Sequence, residues 1–284
     1  MLPNVIVIGA MKCGTSSLHR YLDAHPNIAM TKKKEIDFFI DRKNWTKGQA
    51  WYEAQFDELL SQDSKIEIVG ESSPNYTMFP TFEGVPQRMA AMVPDAKLIY
   101  VVRDPIERIK SHYQHQWYDG RKSQTLEQVL QTPERKHYIS TSRYYQQIEQ
   151  FLSYYKPNQL LVLTVEQLKS DRDATMQRVF EFLGVDSTIS VANLAAEFHR
   201  TSDKVRVSGP LSFLQSKSAT GAKFRQTVRA IVPKIWIKKM GQLLTKKPDV
   251  ELSHETLTAL KEDLAEDASK LREFSGLSLD TWSV

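Results

Sequence analysis

The sequence predicts an α/β fold: a central parallel sheet of four to five strands, helices on both faces and a helical C-terminal extension. Three observations carry that expectation. Short β-branched runs alternate with helical patterns over the first two thirds of the chain, which is the pattern of a parallel sheet with helical crossovers. The first run passes through a glycine-containing turn directly into a helical pattern. Polar segments begin where the first three runs end, at the sheet edge where α/β folds place their ligands.

The runs are Val5–Ile8, Ile66–Val69, Leu98–Val102 and Leu160–Thr164. Helical spacing of apolar residues predicts helices at about 15–24, 47–56, 80–92, 105–117, 138–153 and 173–183. From about residue 186 the alternation weakens. Asn193–Gly209 reads as a loop with basic residues. From Lys217 to Lys247 there are nine Lys or Arg and no Asp or Glu, with Val228, Ile231, Val232, Ile235 and Trp236 spaced as on a basic amphipathic helix. Ser253 is placed to cap a last helix over about 254–274, which ends before Gly276. We expect one domain over residues 1–284, with an α/β core to residue 185 and a helical part over 186–284.

Composition bounds the function. Hydrophobic content of 41% and charged content of 25% are ordinary for a globular protein. The formal net charge of +4 suits an anionic ligand without requiring nucleic acid. The single cysteine, Cys13, permits no internal disulfide. No apolar run is long enough to span a membrane, and the first strand begins too near Met1 to leave room for a signal peptide, so a cytoplasmic location is expected. The seven histidines show no metal-ligand spacing.

Two segments carry the chemistry. Gly9-Ala10-Met11-Lys12-Cys13-Gly14-Thr15-Ser16-Ser17 lies between the first strand and the first helix. Its backbone N–H groups and the positive end of the helix dipole face one anion. The two glycines keep the spacing of a nucleotide-triphosphate loop, but Thr15 stands where that loop has its lysine, and the only lysine is Lys12. Lys12, Cys13, Gly14, Thr15, Ser16 and Ser17 are therefore candidate anion-binding residues in a P-loop-like turn. The second segment is Arg103-Asp104-Pro105 with Ser111 about two turns into the following helix. A guanidinium fork and a hydroxyl on one oxyanion make a phosphate clamp. The same residues also read as an ordinary helix start, with Asp104 as N-cap.

Together these segments resemble the two signatures of sulfotransferases that use 3′-phosphoadenosine 5′-phosphosulfate (PAPS). The resemblance implies that the loop holds the 5′-phosphosulfate and that Arg103 and Ser111 hold the 3′-phosphate. Lys34-Glu35-Ile36-Asp37-Phe38-Phe39 is similar to a stretch of the heparan sulfate sulfotransferases whose glutamate is the proposed base. Lys47-Gly48, Glu71-Ser72-Ser73-Pro74-Asn75-Tyr76 and Ser111-His112-Tyr113-Gln114-His115-Gln116 extend the likeness toward the N-sulfotransferase branch. It covers about residues 4–185. A basic cofactor-closing loop tied by a disulfide, found in secretory-pathway members, has no counterpart here. Lys204–Gly209, with Arg206 and Ser208, is its nearest substitute.

The resemblance implies sulfuryl transfer from PAPS to a hydroxyl or amine of a carbohydrate or another small metabolite, with a glycan or a lipid among the candidates. Lys12 would stabilise charge on the departing phosphate, and no metal would be required. Glu35 would take the acceptor proton in a water-poor pocket walled by Phe38 and Phe39, or it is one member of the charged run that starts at Lys32. His115, one turn after Ser111 on the same helix face, is the rival base. Glu71 and Tyr76 line the acceptor pocket or simply end a strand. Lys47 contacts an anionic acceptor or is a surface lysine. The basic segment after Lys217 draws in a polyanion, lies on a membrane, or is a solvated face. A nucleotide or small-molecule kinase and an inactive nucleotide-binding module are the competing classes, and the missing loop lysine argues against the kinase.

Overall fold

The computed structural model describes residues 1–60, 65–191 and 247–284. Arg206, Ser208, the 204–209 loop and the basic segment up to Lys246 lie outside the described residues. The sheet has five parallel strands, β1 (Val5–Gly9), β2 (Ile28–Met30), β3 (Ile68–Ser72), β4 (Lys97–Val102) and β5 (Leu160–Thr164), in the order β2-β3-β1-β4-β5. The three-residue β2 is the strand that the sequence did not announce, being too short for a period to register. The third strand runs past the expected Ile66–Val69 to Ser72 and so carries Glu71 into the sheet.

Every residue of β1 and β3 is buried, as continuous apolar runs in a two-sided parallel sheet must be. Helices pack around it: α1 (Thr15–Asp23), α2 (Gly48–Glu53), α3 (Asp57–Leu60), α4 (Val85–Met92), α5 (Pro105–Tyr118), α6 (Leu126–Leu130), α7 (Arg135–Ser140), α8 (Tyr144–Leu152), α9 (Val165–Ser170), α10 (Arg172–Leu183) and α11 (His254–Ser275). The helix expected from residue 80 starts only at Val85, because Gly84 takes a left-handed φ of 69° as its N-cap and Pro86 suits the first turn. The helix expected over 138–153 is two helices. They break at Thr141-Ser142-Arg143, where the Thr141 and Ser142 hydroxyls turn inward to accept hydrogen bonds from Arg108.

The last helix matches its expected span and its caps. Ser253 Oγ accepts from Thr256 N, and Gly276 follows at φ 65°. It fastens the parts around the cleft. Leu260 and Leu264 enter a core shared by α5, α6 and α7, while Leu271 enters the sheet core. Its Asp267 carboxylate accepts the first-turn N–H groups of Tyr145 and Gln146, completing α8. The tail beyond it returns to the end of β4, where Asp104 Oδ2 accepts from Ser283 N.

Gly70, in the middle of β3, shows how tightly the sheet is filled. A Cβ there would stand 2.4 Å from Val5 Cγ1 and 2.8 Å from Met30 Sδ. Gly70→Ala should therefore destabilise the protein by about 1–3 kcal/mol through overpacking. A lowered urea midpoint at unchanged slope is the expected result, and an unchanged midpoint would show that the strands can part.

Candidate active site

At the carboxyl ends of β1 and β3 a cleft of about 930 Å³ opens, a size suited to a nucleotide-scale ligand. Lys12, Gly14, Thr15 and Ser16 form one wall, Lys34 and Glu35 another, and Ser111, His112 and His115 a third. The structure thus brings together the loop, the candidate base, the rival base and the serine of the second segment.

Gly14 makes the loop possible. It adopts φ 88° as N-cap of α1, and any Cβ would stand 2.9 Å from Val165 Cγ2. Having no side chain, it leaves the helix N-terminus uncapped and open to a ligand. Lys12 also takes a left-handed φ of 73°, a conformation that costs a side-chain-bearing residue about 1–3 kcal/mol. The Cys13 thiol turns the other way. It is fully buried, 3.6 Å from Tyr144 Oη, and burial pushes it up to about 11. Cys13 has only its main chain to offer a ligand, and Ser17 does not line the cleft.

Lys34, which opens the Lys34–Phe39 stretch but was given no role of its own from the sequence, contacts this loop. Its Nζ donates to Thr15 Oγ1 at 3.1 Å and Ser16 Oγ at 2.8 Å, and ion-pairs with Glu35 Oε1 at 3.7 Å. Nothing local to the sequence marked this contact, which arises because β2 returns the chain beside α1.

Glu35 is not in a water-poor pocket. Its side chain is 52% exposed at the cleft mouth. Phe38 and Phe39 are fully buried in an aromatic cluster, Phe38 stacking 4.3 Å from Tyr52 and Phe39 standing 5.6 Å from Tyr76. Residues 36 to 40 are all buried, and Glu35 alone of residues 35 to 40 turns outward. Glu35 and Asp37 both hold left-handed backbones, φ 62° and 52°. Successive bonds to the end of β3 fix them: Glu35 N to Ser72 O, Asp37 N to Ser73 Oγ and Phe38 N to Tyr76 Oη, each 2.9 Å.

Glu71 and Tyr76 stand beneath that segment and do not line the cleft. Glu71 is fully buried and accepts from Tyr52 Oη and Tyr76 Oη, each at 2.8 Å, and from Ser73 Oγ. Because Ser73 and Tyr76 each accept a backbone N–H from the 37–38 segment, their own protons must point at Glu71. The buried carboxylate thereby orients the hydroxyls that hold the Glu35 loop.

Asp104 caps α5, accepting from Glu107 N, as its ordinary reading foresaw. Arg103 reaches Glu107 at 3.3 Å and is absent from the cleft lining, whereas Ser111 lines it. Behind Ser111 lies a residue that sequence reasoning missed. Arg108 is fully buried, donating to Tyr138 O, Thr141 Oγ1, Ser142 Oγ and, at 2.8 Å, to His112 Nδ1. Among the described residues no carboxylate pairs with it. An arginine always donates, so a neutral His112 accepts at Nδ1 and carries its proton on Nε2, toward the Gln116 side-chain amide 3.0 Å away, which then presents its oxygen. Burial and Arg108 hold His112 well below the usual imidazole range, leaving it neutral. His115, on the same helix, faces the cleft with Nε2 3.5 Å from Asp119. Lys47 lies outside the cleft lining, its ammonium 4.2 Å over the Trp51 ring.

Comparison with known proteins accords with this geometry. Residues 2–205 match the family model described as "Sulfotransferase domain". The chain belongs to the sulfotransferase family. Human bifunctional heparan sulfate N-deacetylase/N-sulfotransferase 3 is 33% identical over 205 residues, 65% of this chain and 22% of that protein. Mouse heparan sulfate glucosamine 3-O-sulfotransferase 3B1 is 33% identical over 196 residues, 66% of this chain and 48% of that protein. The membrane-associated sulfotransferase kil1 of Dictyostelium discoideum is 40% identical over 128 residues, 44% of this chain and 26% of that protein. This sulfotransferase chain thus spans between a fifth and a half of the length of these relatives. A crystal structure of a sulfotransferase from Alicyclobacillus acidocaldarius shares the fold, with a TM-score of 0.69 at 24% identity and full coverage of both chains. Mouse sulfotransferase SULT7A1, complexed with PAP, superposes with a TM-score of 0.50 at 17% identity, covering 95% of this chain and 88% of that one. Among the described residues no helix is long and apolar enough to cross a membrane.

Glu71 gives a pH signature. Burial raises its carboxyl from 4.5 to about 7, against the three hydroxyl donors that lower it. Between those values the native state keeps a proton that the unfolded chain releases, so the group's contribution to stability falls as pH rises through the window. The stability of wild type minus that of Glu71→Gln, from urea unfolding, should therefore decline from pH 5 to pH 7. A flat difference would show that Glu71 is ionised throughout.

Proposed function

We propose that this chain is a PAPS-dependent sulfotransferase acting on a hydroxyl or amine, most simply of a carbohydrate or a small metabolite. The observation that carries this reading is the shared cleft: an open helix N-terminus with Lys12, Thr15 and Ser16 on one side, and the exposed carboxylate of Glu35 on the other. The residues fit PAPS. The uncapped N-terminus of α1 offers main-chain N–H groups to a phosphosulfate, and Ser111 is placed for the 3′-phosphate, with Arg103 to be recruited from Glu107. When bound, PAPS supplies the sulfuryl group and leaves as adenosine 3′,5′-bisphosphate.

The protein's part is positioning and charge. Lys12 and the loop N–H groups stabilise the electron pair that settles on the departing phosphate oxygen. Glu35 takes the proton from the acceptor oxygen or nitrogen as its bond to sulfur forms. His112, neutral and bound to Arg108, does not serve as a base, whereas His115 stays the rival. For the acceptor, Met78, Phe82 and Tyr118 provide apolar surface, and Gln114, Gln116 and His137 provide hydrogen bonds, a combination suited to a sugar ring. The heparan sulfate relatives support a glycosyl acceptor. The division into a cofactor-binding core over 1–185 and a helical part over 186–284, and the cytoplasmic location expected from the sequence, belong to the same reading. Cell fractionation tests the latter.

Calorimetric titration with adenosine 3′,5′-bisphosphate in EDTA, beside ATP with magnesium, tests the cofactor. Metal-free binding of the bisphosphate is expected, and binding of magnesium–ATP alone would transfer the site to the kinase class. Lys12→Ala should lower turnover about 10²–10³-fold, as loss of an oxyanion donor does, while weakening bisphosphate binding much less. Equal losses would remove Lys12 from the transition state. Glu35→Gln should keep bisphosphate binding and lose about 10²–10⁴ in kcat. An active Glu35→Gln beside a dead His115→Ala would move the base to His115.

A further inference from the structure

Lys34 is the charged side chain that joins the two halves of the cleft. Lys34 Nζ has three N–H donors. Two go to neutral hydroxyls, Thr15 Oγ1 and Ser16 Oγ. Among the described residues the third faces Glu35 Oε1, at 3.7 Å, which is an ion pair but too long for a hydrogen bond. The side chain is 21% exposed, so its ammonium group has given up much of its water for partners that return little charge. Burial accordingly pushes Lys34 below the usual lysine range, with Glu35 pulling it back and Lys12 and Arg20 adding to the depression. Lys12 lines the same cleft, whereas two other titratable groups of these segments have partners of their own. His19 bridges Ser72 Oγ and Thr31 O, and Asp37 is joined to Lys43 and Asn75.

The hydroxyl geometry adds a second argument. Thr15 and Ser16 each use an oxygen lone pair on Lys34, so their own protons point away from the ammonium group. Lys34 thus turns two ambivalent hydroxyls into donors for an anion. The charge balance adds a third. A carboxylate base and an anionic sulfuryl donor must approach across one cleft, and two like charges a few ångströms apart repel strongly where little water screens them. A cation between them removes that penalty.

We propose that Lys34 is a second catalytic cation of this site, contacting the anion held by the loop on one side and the Glu35 carboxylate on the other, so that an anionic base works beside an anionic donor. This rests on the sulfotransferase reading and names a residue that reading did not use.

A double-mutant cycle tests it by binding, independently of turnover. Adenosine 3′,5′-bisphosphate and inorganic pyrophosphate are titrated into wild type, Lys34→Met, Glu35→Gln and the double variant. Lys34→Met should weaken both probes about tenfold or more, because Glu35 then repels them without compensation. Adding Glu35→Gln should recover most of that loss, and Glu35→Gln alone should bind as wild type or tighter. Lys34→Arg, which keeps the charge, should retain most of the affinity, and it guards against loss of fold in the Met variant. Unchanged binding in Lys34→Met, or a loss equally large with and without Glu35, would overturn the proposal. The pyrophosphate arm keeps the two readings apart. Pyrophosphate binding with the expected coupling but no bisphosphate binding would sink the nucleotide assignment and leave Lys34 as an anion-site cation. Bisphosphate binding with additive losses would do the reverse.

Discussion

Positive charge concentrated at one point of a sheet edge is the constraint around which this protein is built. Lys12, Lys34 and the uncapped end of α1 all face the same small volume. Such a group is unfavourable by itself and favourable once an anion enters. The backbone around it is correspondingly strained, with left-handed conformations at Lys12, Glu35 and Asp37. Strain of this kind persists only where surrounding contacts over-determine it. Here the contacts are hydrogen bonds from Glu35, Asp37 and Phe38 to the end of β3.

Glu71 explains why that end of β3 is a firm support. A carboxylate buried in the sheet is costly unless its lone pairs are used, and here three hydroxyls use them. Two of these hydroxyls pass the restraint on to the Glu35 segment. A group that never meets solvent thus sets the position of one that is half exposed. Arg108 plays the corresponding part beneath the opposite wall. Its bonds to Thr141 and Ser142 set the break between α7 and α8, and its bond to His112 fixes which imidazole nitrogen carries the proton. The two buried hubs have opposite charges and lie under different walls of one cleft. α11 ties the second wall to the sheet through Leu264, Asp267 and Leu271.

Much of the chemistry was legible in the chain. The turn from Gly9 to Ser17 announced itself because a strand, a glycine needing a left-handed turn and a helix start are all local signals. Asp104-Pro105 and Ser253 marked helix starts for the same reason. Which of the expected site residues face the cleft was not a local signal. Thr15, Ser16 and Ser111 line the cleft, while Cys13 turns into the core and Lys47 packs on Trp51. Phe38 and Phe39 were expected at the pocket wall and are inside, because residue type does not say which way an irregular segment faces.

By itself, the sequence determined the parallel α/β architecture and the glycine turn between β1 and α1 with its Lys12, since each depends on spacing within a few residues. Tertiary structure alone decided that Lys34 belongs to the turn, that Glu71 supports the Glu35 segment from below, and that Arg108 keeps His112 neutral. Those contacts join residues 18 to 53 positions apart at one end, and hold Arg108 to residues 30 to 34 positions away at the other. They depend on strand order and on the path of β2 beside α1, and those follow from packing the whole chain, not from any pattern a short stretch can display.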